Sequence, residues 1–361
     1  MGSAAGHQLA ARGARVLGLE QFGPAHDQGS SHGESRIIRQ AYYEHPSYVP
    51  LVRRAYELWE TTEAESGRYL INLTGGLMIG RANSGIVSGS RLSAQTWHLP
   101  YEMLDAAGVH ERFPTFTLAD DEVALYEAAA GFVIPEEALT AQIDLATRHG
   151  AELRFGERVT DWAIDGDGVR LWTASDCYRA DRLVICAGAW AARLLHLEVP
   201  LSVERQVMHW FVPDGGVAPF AASHHPVYGW EDATGDFIYG FPAREGDHTV
   251  KVAFFRRPVP CDPDRVDRTV HPDEIAEIAA YVGTRLPSLR QHHRAVTCLY
   301  TLTPDRHFLL GVHPQHAQVV VAAGFSGHGF KFTPVIGEIL AHLALNGTTT
   351  HDISLFDPAR G

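Results

Sequence analysis

The sequence predicts an α/β chain of two interleaved lobes, one built from strand-to-helix units and the other an antiparallel sheet inserted into it. Three observations predict this. Near both ends of the chain an apolar run lies beside a glycine-punctuated helix: Ala14–Glu20 behind the first helix, and Val319–Ala323 ahead of the last. A third junction of the same kind, Arg182-Leu-Val-Ile-Cys-Ala-Gly188, lies mid-chain. From about Leu201 to Val259 the pattern changes to short alternating strands bounded by Gly, Pro and Asp. At 361 residues the chain is long enough for two such lobes and a large core.

The C-terminal junction carries most of the signal. Val319-Val-Val-Ala-Ala323 has the length and composition of a buried strand. Gly324, Gly327 and Gly329 then let the backbone turn tightly and approach a ligand. Thr333 and Pro334 read as N-cap and first helical residue of a helix running through Ala344. A strand, a glycine turn and a helix N-terminus make a site for partial negative charge, and His328 and Lys331 lie inside the turn. Read alone, an ordinary connection with a solvated lysine accounts for it better.

Composition excludes several classes. Apolar content of 45% and charged content of 20% describe a soluble globular chain. No apolar stretch reaches bilayer length and no secretory signal precedes the first helix, so no membrane partner is expected. A net charge of -13 argues against nucleic acid. Cys177, Cys186, Cys261 and Cys298 are scattered without paired spacing, which predicts neither disulfides nor zinc and fits a reducing cytoplasm. The 21 histidines include no His-Glu-x-x-His, and no metal site is expected.

In order, residues 1–12 read as a helix, small on one side as if packed closely on a sheet, and Ala14–Glu20 as a strand ending in a carboxylate. That is the second half of a dinucleotide-binding βαβ unit, with the acid placed to bond a ribose hydroxyl. Of its glycine pattern only Gly2 is matched. The preceding strand is expected upstream of Met1 rather than lost, since removing a central parallel strand would strip both neighbours of ladder hydrogen bonds. In Gly29–Tyr42, Arg36 and Arg39 are three apart and would share one face of a helical turn, suited to a bound anion or simply to a solvated basic turn. A helix follows from about Tyr48 to Ser66, then a paired strand and turn over Asn72–Gly80. Ala82–Ala130 is polar and helical in pattern. Pro135 opens a helix through His149, and Gly150–Phe155 and Arg158–Trp162 are strands. Arg179–Arg193 runs as a strand through Gly188 into a helix. Gln206–Val212, Asp236–Pro242 and His248–Phe255 form the antiparallel sheet. Within it Lys251 is either a snorkelling edge residue, the commoner case, or a buried cation facing a site. A helix over Asp273–Thr284 precedes the strand Ala295–Thr301, in which Cys298 is by default an inert buried thiol.

Three segments, in this order and spacing, resemble the monomeric sarcosine oxidase family: Ser31-His-Gly-Glu-Ser-Arg-Ile-Ile-Arg39, Thr297-Cys-Leu-Tyr-Thr301 and Gly324-Phe-Ser-Gly-His-Gly-Phe-Lys331. The ending His351–Phe356 looks like the family's C-terminal turn. This family of flavoproteins includes N-methyltryptophan oxidase and belongs with the D-amino-acid oxidase-like, FAD-dependent amine oxidases. The resemblance runs from Met1 to about Phe356. It implies a Rossmann-like FAD-binding domain (1–80, 131–200 and 295–361) and an inserted antiparallel-sheet substrate domain (81–130 and 201–294), in a monomer.

It also implies roles. Cys298 matches the cysteine bonded covalently to the flavin, Arg36 the arginine against the flavin face, and Lys251 the lysine that promotes reaction with O2. Arg39 and Lys331 match the pair holding the substrate carboxylate, and Tyr239 and His328 match residues lining the substrate cavity. Glu20 matches the ribose-binding acid, while Gly188 and Trp190 match a second flavin-contacting turn. Gly2, Ser31, His32, Val159, Gly324, Gly327, Gly329, Phe330 and Lys331 complete the cofactor set. Phe255 departs from the family, standing where sarcosine and N-methyltryptophan oxidases carry a histidine. The implied reaction oxidises a secondary or N-methylated amino acid to an imine while O2 becomes H2O2. The rivals are a flavin dehydrogenase with another acceptor and a flavin-free relic. A serine hydrolase suggested by Gly324-Phe-Ser326 fails, because G-x-S-x-G needs glycine where His328 stands.

Overall fold

The computed structural model describes residues 1–360. One lobe centres on a nine-stranded sheet. Its order is Val259–Pro260, Ser202–Val212, Val250–Phe254, Phe237–Gly240, Val227–Glu231, Gly76–Arg81, Glu122–Glu127 and Glu102–Asp105, with Gln291–Leu302 also paired to Ser202–Val212. Pairing is antiparallel except where Gly76–Arg81 meets Val227–Glu231. The helix Pro272–Gly283 covers one face through Ile278 and Val282, which pack with Phe211, Trp230, Val252 and Phe254.

The other lobe carries small parallel units. Leu17–Glu20 pairs in parallel with Glu152–Phe155, and Leu183–Ile185 with His316–Ala323. The helix Gly2–Ala11 is small on one side because it packs tightly, and it packs chiefly on helices rather than on a sheet. A Cβ on Gly337 of the helix Thr333–Asn346 would lie 2.7 Å from Ala4, and Gly6 faces Ala146 of the helix Pro135–Arg148. Thr333–Asn346 is buried nearly all round, as its apolar sequence requires, and ends on Gly347 at φ 73°.

Several expectations need correction. Arg36 and Arg39 do not share a helical turn: Arg36–Ile38 is a strand paired with Gly131–Val133, and Arg39 follows it. Ile71–Leu73 and Gly76–Arg81 do not pair with each other; the first joins Gly131–Val133 and the second the large sheet. The stretch 82–130 is not all helical, since Glu102–Asp105 and Glu122–Glu127 are strands alongside the helices Gly85–Thr96 and Ala106–Arg112. Thr333 is not an N-cap. A 3-10 turn, Phe330–Phe332, leads directly into the helix, and the Thr333 hydroxyl donates to the Phe330 carbonyl at 2.5 Å.

Candidate active site

Two connected cavities lie where the lobes meet. The larger, about 1780 Å³, is walled by Gly2, Glu20, Ser31, Arg36, Val159, Gly188, Trp190, Gly324, Gly327, Gly329 and Phe330 among others. The smaller, about 80 Å³, is walled by Arg36, Arg39, Tyr239, Phe255, Gly327, His328, Phe330 and Lys331, together with residues the sequence reading did not single out. Arg36, Tyr300, Gly327 and Phe330 belong to both. Three predicted residues wall neither: His32, Lys251 and Cys298, all buried.

Several main-chain features shape the large cavity. Glu20 closes its strand, accepting from the Phe22 N–H at 2.9 Å with His26 3.5 Å away, and these contacts outweigh burial to hold its carboxyl below the usual value. The N-termini of the helix Gly2–Ala11 and of the turn Phe330–Phe332 open onto it. Gly188 at φ 52°, Gly324 at 61° and Gly327 at 82° adopt the left-handed turns that bring main chain to its wall. Thr301 Oγ1, on that wall, and His32 Nε2, next to wall residue Ser31, are buried without a hydrogen-bond partner among the described residues. An acid for a ribose, helix N-termini for a pyrophosphate and unpaired polar atoms are what a dinucleotide requires, so these residues fit FAD.

The loop before Arg36 is fixed by Glu136, whose Oε1 accepts from the N–H groups of Gly33 (2.6 Å) and Glu34 (3.0 Å). Arg36 donates to the carbonyls of Ser35 and Ser30, each at 2.8 Å. Beneath it, Lys251 donates to Gly33 O (2.6 Å), Ser35 O (2.9 Å) and Ser35 Oγ (3.2 Å), with the Phe241 ring 4.6 Å away. Burial, then repulsion from Arg36, pulls its pKa well down. Its three oxygen partners and the Phe241 ring satisfy the nitrogen in place of water. Lys251 is therefore buried, with its nitrogen tied to the loop before Arg36, rather than a snorkelling edge residue. Cys298 is buried beside these cations. Burial pushes its thiol up, while Arg36 and Lys251 favour the thiolate.

The small pocket is made of charged and aromatic side chains. Glu127 accepts from the N–H groups of Gln40 (2.7 Å) and Ala41 (2.9 Å), which fixes the chain after Arg39. Arg39 is 4% exposed, stacked on Tyr42 and Tyr43, and donates to Ala41 O (2.8 Å) and Glu44 Oε2 (2.7 Å). Burial alone would raise the Glu44 carboxyl, but Arg39, His328 and Lys331 overcome it and hold it at about 2. Its other oxygen, Oε1, has no hydrogen-bond partner among the described residues. Lys331 donates to His328 O at 2.7 Å, and burial with the nearby Arg39 lowers it to about 7.

His328 is lowered to about 3 by burial and is neutral at ordinary pH. Its Nε2 lies 3.0 Å from the Arg306 carbonyl, which can only accept, so Nε2 carries the proton and Nδ1 accepts from the Tyr42 hydroxyl at 2.5 Å. Tyr43, Glu44, Met78, Phe237 and Tyr300 also line this pocket and were not assigned from sequence.

Among the described residues no group of three or more His, Cys, Asp or Glu could hold a metal ion, and no helix is long and apolar enough to cross a membrane.

A mixed α/β lobe with a cleft whose residues fit a dinucleotide, joined to an antiparallel sheet beside a small cationic and aromatic pocket, has the architecture of an FAD-dependent oxidoreductase. The pattern of the family described as FAD dependent oxidoreductase matches residues 1–343. The chain is 56% identical over 364 residues to the monomeric sarcosine oxidase of Streptomyces avermitilis, covering 100% of this chain and 95% of that one. It is 33% identical over 360 residues to the N-methyl-L-tryptophan oxidase of Salmonella newport, covering 100% and 96%. Among solved structures it is similar to NikD, described as an unusual amino acid oxidase essential for nikkomycin biosynthesis, with a TM-score of 0.86 at 27% identity, covering 99% and 94%. The chain belongs to the FAD dependent oxidoreductase family and is an FAD-dependent amine oxidase of the sarcosine oxidase group.

Proposed function

We propose that the protein oxidises a secondary or N-methylated amino acid at a carbon–nitrogen bond, giving an imine that water hydrolyses. The observation that carries this is the buried Arg39–Glu44–Lys331 cluster, set in an aromatic pocket that meets the dinucleotide cleft at Arg36. FAD, when bound, supplies the two-electron acceptor and its reoxidation by O2 to H2O2.

The protein's own groups bind and orient. Arg39 offers a planar fork and Lys331 a point charge to the substrate carboxylate. Tyr239, Phe237 and Phe255 exclude water around the amine. His328 shapes the wall as a neutral ring whose two nitrogens are both engaged, so it holds no free proton to exchange. Arg36 lies at the junction of the cavities, facing the flavin. Lys251 supplies the fixed positive charge that favours electron transfer to oxygen. Cys298 is the proposed attachment point of the flavin, supported by the two cations beside its thiol. Gly2, Glu20, Ser31, His32, Val159, Gly188, Trp190, Gly324, Gly327, Gly329 and Phe330 hold the cofactor. Phe255 removes a hydrogen-bonding group and adds apolar surface, which favours an amine bulkier or less polar than sarcosine. The lobes divide as 1–80, 131–200 and 295–361 against 81–130 and 201–294, with the strands Gly76–Arg81 and Gln291–Leu302 at the seam. A cytoplasmic monomer completes the reading, in keeping with a relative called monomeric sarcosine oxidase.

Oxygen uptake tests this. With a panel of N-methyl amino acids the flavin-loaded protein consumes O2 and forms H2O2 in equal amounts. Turnover only with an artificial electron acceptor, or with none of the panel, overturns the oxidase reading. If the glycine-sized member gives the highest kcat/KM, the assignment of Phe255 is wrong. Flavin colour that stays with acid-precipitated protein supports the Cys298 bond, and colour released to the supernatant removes it.

A further inference from the structure

Phe255 follows the strand Val250–Phe254 in the sequence Phe254-Phe255-Arg256-Arg257. In a regular strand neighbouring side chains point to opposite faces, so Arg256 would lie with Phe254 and Arg257 with Phe255. The structure has the reverse. The Arg256 guanidinium lies 4.4 Å over the Phe255 ring, and Arg257 lies 3.9 Å over Phe254. The exchange is made by a backbone reversal at Arg256, which adopts φ 66°, a left-handed conformation that costs a non-glycine residue energy.

The two arginines are held differently. Arg257 pairs with Asp236 at 2.6 Å and Glu277 at 2.9 Å, and its backbone is clamped by both polar atoms of the Gln206 side chain. Arg256 has no carboxylate partner among the described residues. It donates once, to Ser326 O at 3.2 Å, and its buried Nε has no partner. Ser326 is itself at φ 50°, in the glycine turn between Gly324 and Gly327. A left-handed backbone and a guanidinium with an unpartnered buried Nε thus coincide at the contact with the face of Phe255. That ring touches Phe237, with centroids 5.1 Å apart, and approaches Tyr300 at 6.0 Å and Tyr239 at 6.3 Å, all on the substrate pocket wall. Arg256 walls neither cavity, so it meets the ring from outside the pocket.

We propose that Arg256 is a positioning residue: by stacking on Phe255 and tying it to the Ser326 carbonyl, it fixes that ring and sets the size limit of the substrate pocket. This rests on the proposed reading of the pocket as the amine site. A ring pinned from behind discriminates by size, whereas a free ring moves aside for larger groups.

The test compares the wild type with Arg256→Gly, which relieves the positive φ while removing the stack, and with Arg256→Lys, which keeps the charge but loses the planar group. Binding of acetate and phenylacetate is measured by calorimetry, and kcat and KM are measured for a small and a large N-methyl amino acid. In Arg256→Gly the ratio of affinities for the two carboxylates shifts about 10-fold toward the larger, as for a hydrophobic pocket gaining room. The ratio of KM values follows it, while kcat changes far less. Arg256→Lys shifts in the same direction if the planar stack matters. A carboxylate ratio unchanged within about twofold in Arg256→Gly, with melting temperature retained, overturns the proposal, and so does a loss confined to kcat. If the wild type turns over no N-methyl amino acid, the functional reading fails, yet the carboxylate ratio still decides the role of Arg256.

Discussion

The two cavities are built by different means. The large one draws on main chain: glycines at positive φ, a strand ending in Glu20, and helix N-termini lie along its wall. The small one is side chain: Arg39, Glu44 and Lys331 buried among tyrosines and phenylalanines. Main-chain sites spread their contribution over many residues and tolerate change at each. A pocket whose charge balance rests on three groups does not.

The widest test of that contrast is Arg39→Ala. It leaves the Glu44 carboxylate buried and unpaired, and the expected loss of unfolding free energy in urea is about 3–5 kcal/mol. KM for a carboxylate substrate rises by about 100-fold or more in the same variant. In the wild type the stability from Glu44 is fully present above its ordinary value of 4.5 and is lost as pH falls toward about 2. A urea midpoint that moves by less than that of a surface substitution would erase the distinction between the cavities.

Lys331 sharpens it. Its ammonium is half deprotonated at about 7, because burial and Arg39 depress it. Affinity for the substrate carboxylate therefore falls as pH rises through that value, beginning higher once the carboxylate is bound and supports the cation. Lys331→Met raises KM about 30-fold and flattens the pH profile of KM above 7, which steady-state kinetics in a pH series reads directly.

The smallest effect belongs to the backbone-built side. Gly188 has φ 52° and open space where a Cβ would stand. In the flavin-free protein Gly188→Ala therefore costs only the left-handed conformation, about 1 kcal/mol, seen in thermal unfolding. KM for the amine stays unchanged. A rise in KM there would couple the two cavities more tightly than their construction implies.

The same difference governs what the sequence reveals. The turn from Val319 to Pro334 is legible because glycines and apolar period are local, and the structure places Gly324, Gly327 and Gly329 on the cavity wall as read. Glu44 is not legible, since one acid carries no period and its meaning comes from Arg39 folding onto it. The spacing of Arg36 and Arg39 misled because three residues fit a helical turn as well as the strand Arg36–Ile38, and only pairing with Gly131–Val133 decides. The strands Glu102–Asp105 and Glu122–Glu127 were hidden by their acids and by adjoining helical segments. Thr333 had the chemistry of a cap, but a 3-10 turn ahead of it extends the helical path. The family resemblance brought Lys251 and Cys298 into view, which periodicity alone had left ambiguous.

The interleaving of the strands also bears on how the chain reaches this state. Leu17 pairs with Glu152, Leu183 with Val319, and Gly76 with Val227. Each contact must close a long loop before it is rewarded, so folding is slow and dominated by non-local pairing. Neither lobe is encoded by one contiguous stretch, and neither can be finished while the chain is still short. During synthesis Leu183–Ile185 emerges well before its partner His316–Ala323, so an unpaired, apolar strand edge waits exposed until that strand has been made. That places the greatest hazard of aggregation on the unfinished polypeptide rather than on the mature enzyme.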